Sequence, residues 1–137
     1  MSGMNLQIGV KALIKNPDGA YLFLQRSEPL STDSETPSWD IPGGRIETTE
    51  RLDEALRREI MEEIGHNIQS QAQLVAAQDI IIPSKALHVV RLTYTVEATI
   101  TSITLSGEHV DFQWVTPDKF ASLHIEPYLR EVLKDIQ

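Results

Sequence analysis

The sequence predicts an α/β/α sandwich built on a mixed β-sheet, and two observations carry that expectation. Strand-like segments stand on both sides of an amphipathic helix near residues 51–64, and a second amphipathic helix follows at the C-terminal end. Each helix has an apolar stripe that needs a sheet to cover, and helices on both faces of one sheet make three layers. With 137 residues the chain is read as one domain spanning 1–137, long enough for a sizeable core and too short for two ordinary ones.

Gln7 to Asn16 is rich in β-forming residues and leads through Asn16-Pro17-Asp18-Gly19, a strong turn signal, into the apolar Ala20 to Leu24. The chain therefore opens with a hairpin. Ser27 to Ser38, rich in Ser, Thr, Pro and acids, reads as a loop whose length points to function more than connection. The central helix is expected from about Arg51 to Ile64, ended by Gly65 as its C′ residue, and Thr49 has the chemistry of an N-cap. Strands are expected near Gln73 to Ile82, Leu87 to Glu97 and Ile100 to Leu105, with Pro83-Ser84-Lys85 as a turn, and a short one at Phe112 to Val115. Pro117 and Asp118 open a helical segment. Pro127 is placed as the first residue of a C-terminal helix with Leu129, Val132, Leu133 and Ile136 as its stripe. The sequence has no internal repeat, linker or low-complexity run.

Composition excludes several function classes. The absence of Cys removes disulfides, zinc thiolate sites and cysteine nucleophiles. No apolar run approaches the ~20 residues of a membrane span, and the N-terminus lacks the basic-then-apolar pattern of a secretory signal, so a cytoplasmic location and no membrane partner are expected. A net charge of −8 argues against nucleic-acid partners. Half of that charge is local: residues 47–63 hold Glu47, Glu50, Asp53, Glu54, Glu59, Glu62 and Glu63 against Arg51, Arg57 and Arg58.

The helix concentrates the acids on one face. At about 100° per residue, Glu62 and Glu63 fall to either side of Glu59, while Leu56, Ile60 and Ile64 form the adjacent apolar arc. Like charges at i and i+4 repel by a few tenths of a kcal/mol, so the Glu59/Glu63 pair needs something to offset it. Arg58 can reach Glu62, but one guanidinium cannot neutralise three carboxylates. A divalent cation can, and oxygen-only ligands favour Mg²⁺, with Mn²⁺ as a substitute, over zinc. Glu59 and Glu63 are the candidate principal ligands, and Glu62 is close enough to share a second ion.

Gly44, Glu50 and the run Arg58-Glu59-Ile60-Met61-Glu62-Glu63-Ile64-Gly65 resemble the signature of the Nudix hydrolase superfamily, of the MutT-like kind, with the box at 44–66. Trp39-Asp40-Ile41-Pro42-Gly43-Gly44-Arg45-Ile46-Glu47 looks like the approach to it. Two positions depart: His66 stands where a large aliphatic residue is usual, and Thr49 where Gly is frequent. The resemblance implies the α/β/α fold, a helix cap at Arg51 and the Gly43 carbonyl as a further metal ligand. It also implies a role for Arg58 in orienting glutamates such as Glu50 or Glu47. Members differ in their base, which is a box glutamate or a carboxylate from a distant loop. Here Ser106-Gly107-Glu108-His109 is such a loop, and Glu108 is the candidate outer ligand or base. His109 has a pKa suited to the same work, while His88 and His124 read as structural.

Substrate contacts are assigned more loosely. Arg26 is a candidate for a phosphate, with a surface ion pair as the alternative; Trp39 and Tyr21 are candidate stacking faces or core; Arg45 sits in the approach to the box. The resemblance implies a Mg²⁺-dependent pyrophosphohydrolase cleaving a nucleoside diphosphate linked to another moiety. A nucleoside triphosphate or oxidised nucleotide is the first choice of substrate, ADP-ribose or a nucleotide sugar the next. The alternative is a non-catalytic nucleotide-binding regulatory domain on the same fold, a class that usually lacks the box glutamates. A monomer or homodimer is expected.

Overall fold

The computed structural model describes residues 3–27 and 38–136; most of the expected Ser27–Ser38 loop lies outside them. Strands β1 (Asn5–Lys15), β2 (Tyr21–Arg26), β3 (Trp39–Asp40), β4 (Gly43–Arg45), β5 (Gln73–Ile82), β6 (Leu87–Glu97) and β7 (His109–Val115) make one mixed sheet. The two α-helices are α1 (Leu52–Ile64) and α2 (Pro127–Leu133), the latter preceded by a 3₁₀ segment at Pro117–Ser122. No helix among the described residues is long and apolar enough to cross a membrane.

β1 organises the sheet. Along one side it pairs in parallel with β6, from Asn5 opposite Leu87 to Lys15 opposite Glu97, and β5 pairs antiparallel beyond β6. Its other side is divided. Gly9, Val10 and Lys11 pair with β4, and Lys15 pairs with Tyr21 of β2. β2 in turn holds β3 and β7. Between its two partners β1 leaves a fork, and the candidate site is built there.

Side chains alternate across a strand, and the alternation here separates two cores. Val10, Ala12 and Ile14 of β1 and Leu22 and Leu24 of β2 face α1, where Ala55, Leu56, Ile60 and Ile64 complete the first cluster. Leu13, Tyr21 and Phe23 face the other way onto Phe120, Leu123, Ile125, Leu129, Val132 and Leu133. Phe120 meets Tyr21 and Phe23 edge-on, with ring centroids 5.8 and 5.6 Å apart. These are the two outer layers expected from the apolar stripes.

The structure corrects the expected strand at Ile100–Leu105, which pairs with no neighbour. β6 already has β1 and β5 on its two sides, so this segment turns to α1 instead. Thr104 N–H donates to the Ile64 carbonyl at 3.0 Å and Ser106 N–H to the Glu63 carbonyl at 3.2 Å, closing the C-terminal carbonyls of the helix. Ile100, Ile103 and Leu105 pack on the first core. β7 also begins three residues before the expected Phe112, at His109.

At the entry to α1 the N-cap is Arg51, the position implied by the family resemblance, and not Thr49. Arg51 has no side-chain acceptor, so the cap is one-sided: the Glu54 carboxylate accepts from the Arg51 N–H at 3.0 Å. Thr49 instead takes φ 69°, the left-handed region that a β-branched residue rarely adopts. His66, the other departure from the family pattern, is half-buried, and Ile68 enters the core two residues later.

Replacing Thr49 by Gly relieves that strain, at about 1–2 kcal/mol for an L-residue in the left-handed region, against a smaller entropic cost in the unfolded chain. Thermal unfolding of Thr49→Gly is expected to show a gain of about 1 kcal/mol, while Thr48→Gly, at a neighbouring residue without positive φ, shows none.

Candidate active site

The geometry of α1 sorts its carboxylates. Taking Glu59 as origin, Glu63 lies about 40° toward the arc of Leu56, Ile60 and Ile64, and Glu62 about 60° away from it. Burial follows that order. Glu63 is 6% exposed, whereas the Glu62 side chain is 57% exposed. Glu59 lies between them, in contact with the backbone of β4.

Arg58 gathers three acids. Its Nε and Nη2 donate to the two oxygens of Glu50 at 2.6 and 2.9 Å, and Nη2 also donates to the Arg45 carbonyl at 3.1 Å. Nη1 donates to Glu59 at 3.0 Å and to Glu62 at 3.3 Å. The two-point grip of Arg58, with the Glu47 N–H, holds the Glu50 carboxyl down to about 2. Of Glu50 and Glu47, the alternatives offered for Arg58, it is Glu50 that Arg58 holds, and the Glu47 N–H donates to Glu50 in turn. Burial pushes the Glu59 carboxyl up while Arg58 opposes it.

Glu63 has no guanidinium or ammonium ion pair among the described residues. One of its oxygens accepts from the Gly43 N–H at 2.7 Å. Burial pushes its carboxyl up to about 7, against the Gly43 N–H and the Lys11 charge, and the charges of Glu59 and Asp40 add to the rise. Gly43 is required here on two counts. Its φ is 148°, and a Cβ would lie 2.1 Å from the Val10 carbonyl oxygen. At Gly44 a Cβ would lie 2.5 Å from the Glu59 carboxylate, so the missing side chain leaves the space that carboxylate occupies.

The segment closing α1 also delivers the loop to the site. From Ser106, bonded to Glu63 through the backbone, the chain turns to Glu108 and His109, with His109 N–H donating to the Ser106 carbonyl at 3.3 Å. Ser27 N–H donates to the Glu108 carbonyl at 3.1 Å. One ligand atom each from Glu63, Glu108 and His109 lie within 4.8 Å of one another. Burial holds the His109 imidazole below its usual pKa, and its Nδ1 is buried without a hydrogen-bond partner.

These residues line a cavity of about 400 Å³ together with Lys11, Arg26, Ser27, Asp40, Gly43 and Gly107. Its cations are anchored by Asp40. Lys11 Nζ donates to Asp40 at 2.9 Å and to the Ile41 carbonyl at 3.3 Å, and Arg26 donates to the same Asp40 oxygen at 3.4 Å. Although burial would raise the Asp40 carboxyl, Lys11 and the Ile41 N–H hold it below the usual range. Carboxylates and cations therefore share one cavity, as a site for an anion carrying a metal ion requires.

Lys11 and Asp40 were not singled out from the sequence. A lysine inside the apolar run Val10 to Ile14 was the available signal, since a central strand buries its neighbours. Other candidates fall elsewhere. Trp39 is half-buried against the second core, and Tyr21 is 7% exposed and packed on Phe120, so its ring is core and not a stacking face. The Arg45 side chain is exposed, outside the cavity lining. His88 pairs with Asp79 at 2.8 Å, and the His124 carbonyl accepts from Trp39 N–H; neither residue lines the cavity.

The donor set suits a hard divalent cation. Glu63 is desolvated, carries no ion pair and is repelled by Glu59, so a bound cation would relieve an electrostatic cost already visible in its raised pKa. Similar proteins share this fold. Over 129 residues the chain is 30% identical to the nucleoside triphosphatase NudI of Escherichia fergusonii, covering 88% of this chain and 89% of the other. It superposes on a MutT protein from Methanosarcina mazei Go1 with TM-score 0.81 at 27% identity, over 98% and 94% of the two chains. The NUDIX domain of Shewanella oneidensis NrtR, complexed with ADP ribose, has the same fold at TM-score 0.73 and 14% identity, over 98% and 86%. The NUDIX domain family matches residues 5–136, and the chain belongs to that family as a Nudix hydrolase, acting on phosphoric anhydride bonds.

Proposed function

We propose that the chain is a Mg²⁺-dependent pyrophosphohydrolase of nucleoside triphosphates, working in the cytoplasm. The observation that carries this reading is the cavity in which Glu63 and Glu108 stand beside Lys11 and Arg26. Its volume suits a polyphosphate, and its two signs of charge suit a phosphate chain bound with a metal ion. The 30% identity to a nucleoside triphosphatase over nearly the whole chain supports the triphosphate over ADP-ribose or a nucleotide sugar. Retention of Glu59, Glu62 and Glu63 speaks against a non-catalytic regulatory domain.

In this reading Glu59, Glu62 and Glu63, with the Gly43 carbonyl, hold the metal. When bound, such an ion draws charge from phosphate oxygens and acidifies a bound water. Lys11 and Arg26 bind phosphate oxygens, each already turned toward the cavity by Asp40. Arg58 fixes the rotamers of Glu59 and Glu62 against the β4 backbone. Water attacks a phosphorus, a P–O–P bond breaks with its electron pair leaving on phosphate, and a carboxylate takes the water's proton. That carboxylate is Glu108 or a box glutamate.

The first experiment incubates the protein with Mg²⁺ and a panel of nucleoside triphosphates, oxidised nucleotides, nucleotide sugars and ADP-ribose. Release of pyrophosphate and nucleoside monophosphate from a triphosphate is expected. Glu62→Gln and Glu63→Gln are expected to lower kcat by about 10²-fold or more with the fold intact. Full activity in both variants would remove the metal assignment, and nucleotide binding without turnover in the wild type would favour the regulatory reading. Glu108→Gln is expected to lower kcat with KM little changed if Glu108 is the base; an unchanged rate returns that role to the box.

Glu63 also predicts a pH dependence of stability. Its folded pKa of about 7 exceeds the unfolded 4.5, so between those values the folded state binds more protons and stability falls as pH rises. The loss is on the order of 3 kcal/mol, complete above pH 7. Metal-free Glu63→Gln should therefore be more stable than the wild type at pH 8 by denaturant unfolding, with the advantage fading toward pH 4.5. Equal stabilities at pH 8 would show that Glu63 is not held in a desolvated position.

A further inference from the structure

We propose that His109 adds an imidazole nitrogen to the cation position formed with Glu63 and Glu108, so that the site takes Mn²⁺ or Co²⁺ in preference to Mg²⁺. The inference rests on the metal-dependent reading above and adds a donor and an ion class to it. A carboxylate-only site discriminates less, because a nitrogen donor is what raises affinity for first-row transition ions over Mg²⁺.

The placement of the three side chains is the first support. Donors about 2.1 Å from one ion are at most about 4.2 Å apart, and closer when not opposite one another, so ligand atoms within 4.8 Å of one another come to share an ion through small side-chain shifts. The second support is independent of the acids. His109 Nδ1 is buried and receives no hydrogen bond from any described residue, and a buried polar atom left without a partner is costly. His109 lines the same cavity as the two carboxylates, and one of its ring nitrogens lies among the three ligand atoms, so a bound cation would give the imidazole a partner.

Backbone contacts fix this donor. His109 lies opposite Arg26 in the β2–β7 ladder, just past the irregularity between Gln25 and Arg26, and its N–H is bonded to Ser106. Ser106 is in turn bonded to Glu63 through the backbone, so imidazole and carboxylate are referred to the same helix end. Among the four histidines only His109 lines the cavity. Nitrogen donors strengthen binding of first-row transition ions along the series from Mn²⁺ to Co²⁺ and do little for Mg²⁺, which keeps its waters.

The test loads the substrate-free protein with Mn²⁺ and records electron spin echo envelope modulation, which detects an imidazole nitrogen bound to the ion. Nitrogen modulation is expected in the wild type and is expected to vanish in His109→Ala. Competition between Mn²⁺ and Mg²⁺, followed by the signal of free Mn²⁺, should show the preference for Mn²⁺ falling about tenfold or more in that variant. His109→Gln, which offers an amide oxygen, should keep Mn²⁺ bound without the nitrogen signal, and circular dichroism checks that both variants fold. Bound Mn²⁺ without nitrogen modulation in the wild type, or modulation that survives in His109→Ala, overturns the proposal and leaves the metal-dependent reading standing. Failure of Mn²⁺ to bind the wild type, or binding undiminished in Glu63→Gln, overturns both.

Discussion

The Gly43 N–H and the Glu63 carboxylate meet at 2.7 Å across the boundary between the sheet and α1, and the rest of the site is referred to that bond. It requires β1 to give up part of one edge to β4, because only there does the Gly43 backbone reach the helix. It requires glycine, since any Cβ would overlap the Val10 carbonyl oxygen. It also sets the rotation of α1: with Glu63 turned toward the sheet, Glu59 falls over Gly44 and Glu62 turns to solvent. The helix end carrying Glu63 then collects the segment bearing Glu108 and His109 through the bonds from Thr104 and Ser106.

Charge is organised around the same point in two unequal groups. On the outer side Arg58 holds Glu50, Glu59 and Glu62 together, and their partial exposure keeps the net contribution to stability small. On the inner side Asp40 is buried but paired with Lys11, whereas Glu63 is buried without an ion pair among the described residues. A buried pair nearly balances its desolvation, and a buried lone carboxylate does not. The asymmetry puts the unfavourable charge at the position proposed for the metal ion, a common way for a site to hold affinity in reserve at the expense of the empty fold.

Much of this was legible from local signals. The helix and its Gly65 stop follow from periodicity and a left-handed glycine, and the two outer layers follow from the stripes on α1 and α2, since each apolar stripe must find a sheet. The box glutamates were readable for the same reason: residues on one helical turn keep their relation wherever the helix lies. Ile100 to Leu105 misled because its apolar residues do enter the core, while its N–H groups find helix carbonyls instead of a strand. Nothing in the local pattern says which partner wins. Lys11, Asp40 and His109 were illegible as a group for a similar reason. They come from three distant strands, and only the division of β1 between β2 and β4 brings them together.

Angular position on α1 explains why acids next to one another in sequence differ in character. Glu62 and Glu63 have the same side chain and adjacent places in the sequence, yet one is largely exposed and bonded to Arg58 while the other is buried with a carboxyl raised to about 7. The difference is set by about 100° of helix rotation, which carries Glu63 to the edge of the apolar arc and Glu62 to its far side. A carboxylate fully inside that arc would be neutral, and one fully outside would be solvated. Glu63 at the margin remains ionisable near neutral pH yet poorly solvated, which are the two properties a hard-metal ligand at the floor of a cavity requires. The adjacent apolar and acidic stripes of the sequence thus meet at one residue, and that residue is the one bound to Gly43.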